Sequence, residues 1–184
     1  MVKILEKDIQ KAASKGIDEF LKLFADAYWK ELGGNLSAET MSLLNGHQNA
    51  LLGYTIFREE MNDGGFVQMI QNGYGGYFFD NPFAKAMRLF GAKPLSKLVY
   101  AAKKIYDENK KELERETTDE EFLAMYVDFE KFDDLEEDFF LMEEEMTSAI
   151  AYFVDENIEL FAEVVRCRSE YHRPNPKFLL AADE

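Results

Sequence analysis

Proline, glycine, cysteine and histidine are all scarce here, and each scarcity excludes something. Four prolines and eleven glycines in 184 residues are too few for a many-turned β architecture, so the expected class is all-α. The one cysteine, Cys167, has no partner in its own chain. An internal disulfide framework and a cysteine-based zinc cluster are therefore excluded, and a reducing compartment fits. Arg166 and Arg168 flank the thiol, but no histidine base accompanies it, so Cys167 reads as unreactive. The two histidines, His47 and His172, have no Glu three residues before them, so the Glu-x-x-His pairs of a di-iron bundle are missing. His47 reads as a capping or surface residue. No Asp-x-Asp-x-Asp-Gly calcium loop and no nucleophile elbow occurs. No run approaches the ~18 apolar residues of a membrane span. MVKILEKDIQ lacks the apolar core of a signal peptide, so the expected location is the cytoplasm.

Apolar residues, by contrast, are plentiful. With 47% hydrophobic residues, including sixteen Phe and nine Tyr, the chain can bury a ring-rich core. The expectation is a single compact multi-helix domain over residues 1–184, its short helices broken at Gly-rich turns. Two N-terminal helices fall within 4–32, from Ile4 to Ala13 and from Ile17 to Leu32, and Gly33-Gly34 close the second. Ser37 suits the N-cap of a helix from Ala38 to about Leu44. Asn45-Gly46 interrupts before a helix from His47 to Met61. Pro82 opens a helix that stops at Gly91, and Pro94 begins a long one. Thr118 and Glu121 form a capping box, Asp133 or Asp134 caps a final acidic helix, and residues 173–184 are a short tail.

One stretch, EEMNDGGFVQMIQNGYGGYFF from Glu59 to Phe79, concentrates five glycines. A phosphate cradle needs a cation beside its glycines, and no Lys or Arg lies between Arg58 and Lys85. The dinucleotide spacing and its preceding strand are also absent. The stretch reads as a double helix break: Asn62-Asp63-Gly64-Gly65 ends one helix, Phe66 to Asn72 makes a short second one, and Gly73 ends that. Gln68 and Asn72 stand one turn apart, their amides on one side. There they can satisfy neighbouring helix ends or line a ligand pocket.

These residues also carry a family pattern. Glu60, Asn62, Gly64, Gly65, Phe66 and Gln68, followed by Asn72, resemble the signature of a bacterial family of small helical proteins headed by a DNA-mimic protein. The later LEEDFFLMEEEMTSAIAYFVDENIELF and the Gly91-Ala92 pair resemble it too, so the likeness covers roughly Met41 to Phe161. Asp63 and Met69 depart from it, where the family usually has Asn and an aromatic. The resemblance implies a mainly helical monomer or homodimer. For the best-understood member it implies a surface that imitates double-stranded DNA and sequesters a transcription factor.

Acidic charge is the other excess. Residues Tyr106 to Glu163 hold 22 acids and four bases, a local −18 in a chain of net −15, so everything else is slightly basic. From Asp133 to Met146, Leu135, Phe139, Met142 and Met146 recur as one helical stripe, continued by Ile150 and Phe153. Asp133, Asp134, Glu136, Glu137, Asp138, Glu143, Glu144 and Glu145 fill the remaining positions. Eight carboxylates on ~18 Å of helix axis give about one per 2.3 Å, comparable with one phosphate charge per ~1.7 Å of duplex. Such a run without interleaved lysines destabilises its own helix, which suggests a use. Acids on a solvated face have nothing to raise one pKa above another, so general acid–base catalysis is not expected. The expectation is a non-enzymatic binding protein without cofactor or metal, which itself binds no nucleic acid directly and whose eight acids engage a basic DNA-binding protein. Two alternatives stay open: a ligand-binding or immunity-type module built on Gln68, Asn72 and Tyr74, and a domain whose acids only solubilise it.

Overall fold

The computed structural model describes residues 1–166; Cys167, His172 and the 173–184 tail lie outside them. The chain opens with a strand, β1 (Lys3–Leu5), then α1 (Glu6–Ala13), α2 (Ile17–Glu31), α3 (Ala38–Met41) and α4 (Gly46–Asp63). The glycine-rich stretch forms α5 (Gly65–Met69), a π-helical turn (Ile70–Tyr74) and α6 (Gly75–Phe79). There follow α7 (Phe83–Leu89), α8 (Lys93–Leu113), α9 (Asp119–Asp128), a 3₁₀ turn (Glu130–Phe132), α10 (Asp133–Glu156), α11 (Ile158–Phe161) and β2 (Glu163–Val165). The all-α expectation holds, with one small addition. β1 and β2 pair in parallel, Ile4 opposite Val164. The helix expected from Ile4 therefore begins two residues later. Val2 and Ile4 are buried while Lys3 is exposed, the period of two that a strand requires.

Local chemistry sets most of the boundaries. Ser37 with Thr40, Asn45 with Gln48, and Thr118 with Glu121 each form a reciprocal capping box. Asn45 thus starts α4 as well as ending what precedes it. Pro94 sits in the first turn of α8, where its missing N–H leaves no bond unmade. Gly73, at φ +87°, kinks the backbone within the π-helical turn, where a side chain would be strained.

The core is built of rings. Phe57 on α4 is its hub, with Phe66, Phe78, Phe83 and Phe139 all at centroid distances of 5.3–5.9 Å. Those four rings come from α5, α6, α7 and α10, so a single aromatic ties together the elements on both sides of the glycine-rich stretch. A second cluster joins Phe90, Phe153 and Phe161. His47 stacks on Phe90 and meets Phe161 edge-on, so it is a half-buried packing residue and not the surface or capping residue expected. The buried hydroxyl of Tyr28 donates to the Phe161 carbonyl at 2.9 Å and fastens α2 to α11. Among the described residues no helix is long and apolar enough to cross a membrane.

Candidate partner-binding face

The acidic helix α10 does not begin with a carboxylate cap. Its N-cap is Phe132, because the 3₁₀ turn runs directly into it, and Asp133 and Asp134 lie in its first turn near the positive end of the helix dipole. Phe139, Met146 and Ile150 are buried, with Leu135, Met142 and Phe153 packed partly buried around them, so the apolar stripe faces the core as expected.

The eight carboxylates divide into two groups. Asp133, Asp134, Glu137, Asp138, Glu144 and Glu145 are exposed. Glu136 and Glu143 are not free; they stand seven residues apart, in the sequence Phe132, Glu136, Phe139, Glu143, Met146, Ile150 that advances by fours and threes along the inner side. At ~100° per residue, the six exposed acids span an arc of about 140°, and Glu136 and Glu143 fall outside it.

Glu136 answers what the glycines hold. Its Oε1 accepts the Phe66 N–H at 2.8 Å. Gly65, at φ +71°, brings the backbone so close that a Cβ there would overlap this carboxylate. From α9, the Tyr126 hydroxyl donates to the Gly64 carbonyl at 3.1 Å. The glycine turn is an anion site after all, and the anion is the chain's own. Burial pushes the Glu136 carboxyl above its usual range; the Phe66 N–H opposes the shift and the Asp133 charge adds to it.

Glu143 pairs with the Arg58 guanidinium, which also reaches Asp18, so that one arginine of α4 joins α2 and α10. Thr147, buried one turn on, donates to the Glu143 carbonyl at 2.7 Å and shares a hydrogen bond with Tyr54.

The remaining motif residues are also architectural. Asn72 donates to the Glu60 carboxylate at 2.8 Å and closes the end of α4 onto the π-helical turn. Asn62 donates to the Arg58 carbonyl at 2.7 Å. Gln68 folds back against Gly64 instead of pairing with Asn72. The amide that satisfies a helix end is Gln71, which donates to the Leu113 and Arg115 carbonyls at the close of α8 and accepts from Thr117. Asn72 and Tyr74 border a cleft of about 700 Å³ with Trp29 and Tyr77, and Gln68 does not reach it. Among the described residues no three metal-ligating side chains converge.

Sequence reasoning missed the centre of the acidic face. Leu141 is 86% exposed, with Glu137, Asp138, Glu144 and Glu145 three and four residues to either side. Phe140 and Tyr152 are exposed on the same helix. The face is thus a ring of carboxylates around an apolar knob, a pattern that the spacing of Leu141 off the core stripe would have revealed.

The family model for DMP19-like proteins matches residues 42–157. The chain belongs to the DMP19-like protein family. A relative from Neisseria meningitidis serogroup B (strain ATCC BAA-335 / MC58), described as DNA mimic protein DMP19, is 28% identical over 127 residues, 68% of this chain and 77% of its own length. The span shared with the DMP19-like family runs from just after α3 to the residue following α10. It therefore contains the glycine turn and both inward carboxylates, together with the whole acidic face.

Proposed function

We propose that this protein is a double-stranded-DNA mimic that binds a basic DNA-binding protein, such as a transcription factor, through α10, in competition with DNA. The observation that carries this reading is the spacing of the six exposed acids. Over the twelve helical steps from Asp133 to Glu145 they fall at about one per 3 Å of axis, close to the ~3.4 Å between phosphates along one strand of B-DNA. Removing the two inward carboxylates from the count brings the spacing to that of a single strand. The relative described as a DNA mimic supports the same reading. In this mechanism carboxylates take the place of phosphates in contacts with Arg and Lys, so no catalytic group is required and association weakens as salt rises.

The test is capture of a partner on immobilised protein, followed by elution with duplex DNA. A bound protein released by duplex, lost at high salt and lost with the triple variant E137K/D138K/E144K is the expected result. Capture that survives the triple charge reversal, or that duplex DNA does not compete away, would refute mimicry.

A further inference from the structure

The opposite charge is segregated as sharply as the acidic one. From Asn81 to Tyr106 the chain has six bases, Lys85, Arg88, Lys93, Lys97, Lys103 and Lys104, and no acid, although the protein as a whole is at −15. Lys103 is paired with Asp80 and Asp107. The other five form no ion pair among the described residues, and all five are exposed. Unpaired like charges held this close cost stability, so a purely solubilising role would favour interleaved acids.

Lys85 and Arg88 border a groove of about 620 Å³ between α7 and the start of α4. Its other walls are mainly apolar: Pro82, Ala86, Leu89 and Phe90, with the His47 ring at one side. Leu89 is 59% exposed there. Beyond the Gly91 turn, Lys93, Lys97 and Lys104 recur at spacings of four and seven along one side of α8, with the exposed Tyr100 among them.

We propose that this groove and its lysine rim are a second docking surface, for an acidic amphipathic segment of a partner protein. The apolar anchors of such a segment would enter the groove beside Leu89 and its carboxylates would meet Lys85 and Arg88. Charge fixes the sign of the occupant, and the groove fixes its class. A nucleic-acid backbone would meet the cations but has no apolar side chains to cover Leu89, Pro82 and Ala86, which an amphipathic segment does. The surface uses none of the acidic residues of α10, so it stands or falls independently of the mimic reading.

A suitable probe is a fluorescein-labelled fifteen-residue helical peptide with leucine and phenylalanine on one face and glutamates flanking them, titrated with the full-length protein by anisotropy at low salt. Its glutamine counterpart and a single-stranded oligonucleotide serve as comparisons. The expected result is at least tenfold tighter binding of the glutamate peptide than of the glutamine one. K85E/R88E should weaken it at least tenfold and Leu89→Ser at least fivefold, with unchanged thermal melting, since all three positions are exposed. E137Q/D138N/E144Q should leave peptide binding intact, which separates a failure here from a failure of the acidic face. Equal binding of the two peptides, no binding of either, or insensitivity to K85E/R88E overturns the proposal. An oligonucleotide that binds more tightly than the peptide, with Leu89→Ser inert, overturns it in favour of a nucleic-acid surface.

Discussion

Replacing Gly65 by alanine tests the connection between the glycine turn and the acidic helix. Gly65 holds φ at +71°, a left-handed conformation that costs an L residue about 1–2 kcal/mol. A Cβ there also collides with the Glu136 carboxylate, which must then withdraw from the Phe66 N–H. Phe66 is fully buried, and a buried donor stripped of its acceptor costs about 1–3 kcal/mol. The combined loss, about 2–5 kcal/mol, is large beside the ~5–15 kcal/mol that holds a typical domain together. At about 2–4 °C per kcal/mol for a chain of this size, the melting temperature should fall by roughly 4–20 °C. Urea unfolding of a double-mutant cycle with Glu136→Ala then separates the two parts. Without the carboxylate there is neither collision nor acceptor to lose, so Gly65→Ala should cost only the backbone part, about 1–2 kcal/mol, leaving a coupling of about 1–3 kcal/mol. Costs that add to within about 0.5 kcal/mol would refute the reasoning.

Three further outcomes are expected. Because burial raises the Glu136 carboxyl, the folded chain holds that proton more readily than the unfolded one; this contribution to stability therefore falls as pH rises from the ordinary carboxylate range through the raised value, and is level above it. Glu136→Gln keeps an acceptor for Phe66 but cannot ionise, so its advantage over the native protein should grow across that window in urea melts, and parallel pH profiles would contradict the assignment. Tyr28→Phe should cost about 0.5–1.5 kcal/mol in urea unfolding and no more, because Gln48 also donates to the Phe161 carbonyl, at 2.9 Å, and leaves it satisfied. E137Q/D138N/E144Q should melt at or slightly above the native temperature at low salt, since relief of like-charge pairs is worth a few tenths of a kcal/mol each; a marked loss of stability would show that these acids serve the fold.

The fold was legible where a residue's chemistry is local. Ser37, Thr118 and Pro94 act within one turn of themselves, and their helices begin where those residues require. The stripe of Phe139, Met146 and Ile150 was legible because burial on a helix repeats every three to four residues. Pairing of β1 with β2 was not, since it joins residues 160 positions apart and each strand has only three residues to show a period. The candidate site was legible as a charge excess but not as a face. Glu136 and Glu143 share the inner spacing with Phe132, Phe139 and Ile150, and that register was present in the sequence; counting carboxylates by density alone hid it. Their partners, Phe66 and Arg58, lie 70 and 85 residues away, so only the fold could show what the two acids do.

The two inward carboxylates also explain how an acid-laden helix keeps one orientation. The six outer acids of α10 form no ion pair among the described residues, so its orientation rests on contacts of the inner side. Glu136 and Glu143 add to the hold of that inner side, because their partners outside α10 lie on two different elements, the Phe66 N–H of α5 and the Arg58 guanidinium of α4. Turning α10 by a single residue, ~100°, would withdraw both carboxylates and bring Glu137 and Glu144 to the inner side in their place. The glycine turn is thus one of the contacts, with the Arg58 pair and the apolar stripe, that fix the direction in which the other six acids point. On the proposed mimic mechanism, the buried motif residues Gly65 and Phe66 would act on partner binding through the rotation of α10: Gly65→Ala should weaken capture of a DNA-binding protein even under conditions where the fold survives. Undiminished capture by a folded Gly65→Ala protein would show that the clasp sets stability alone.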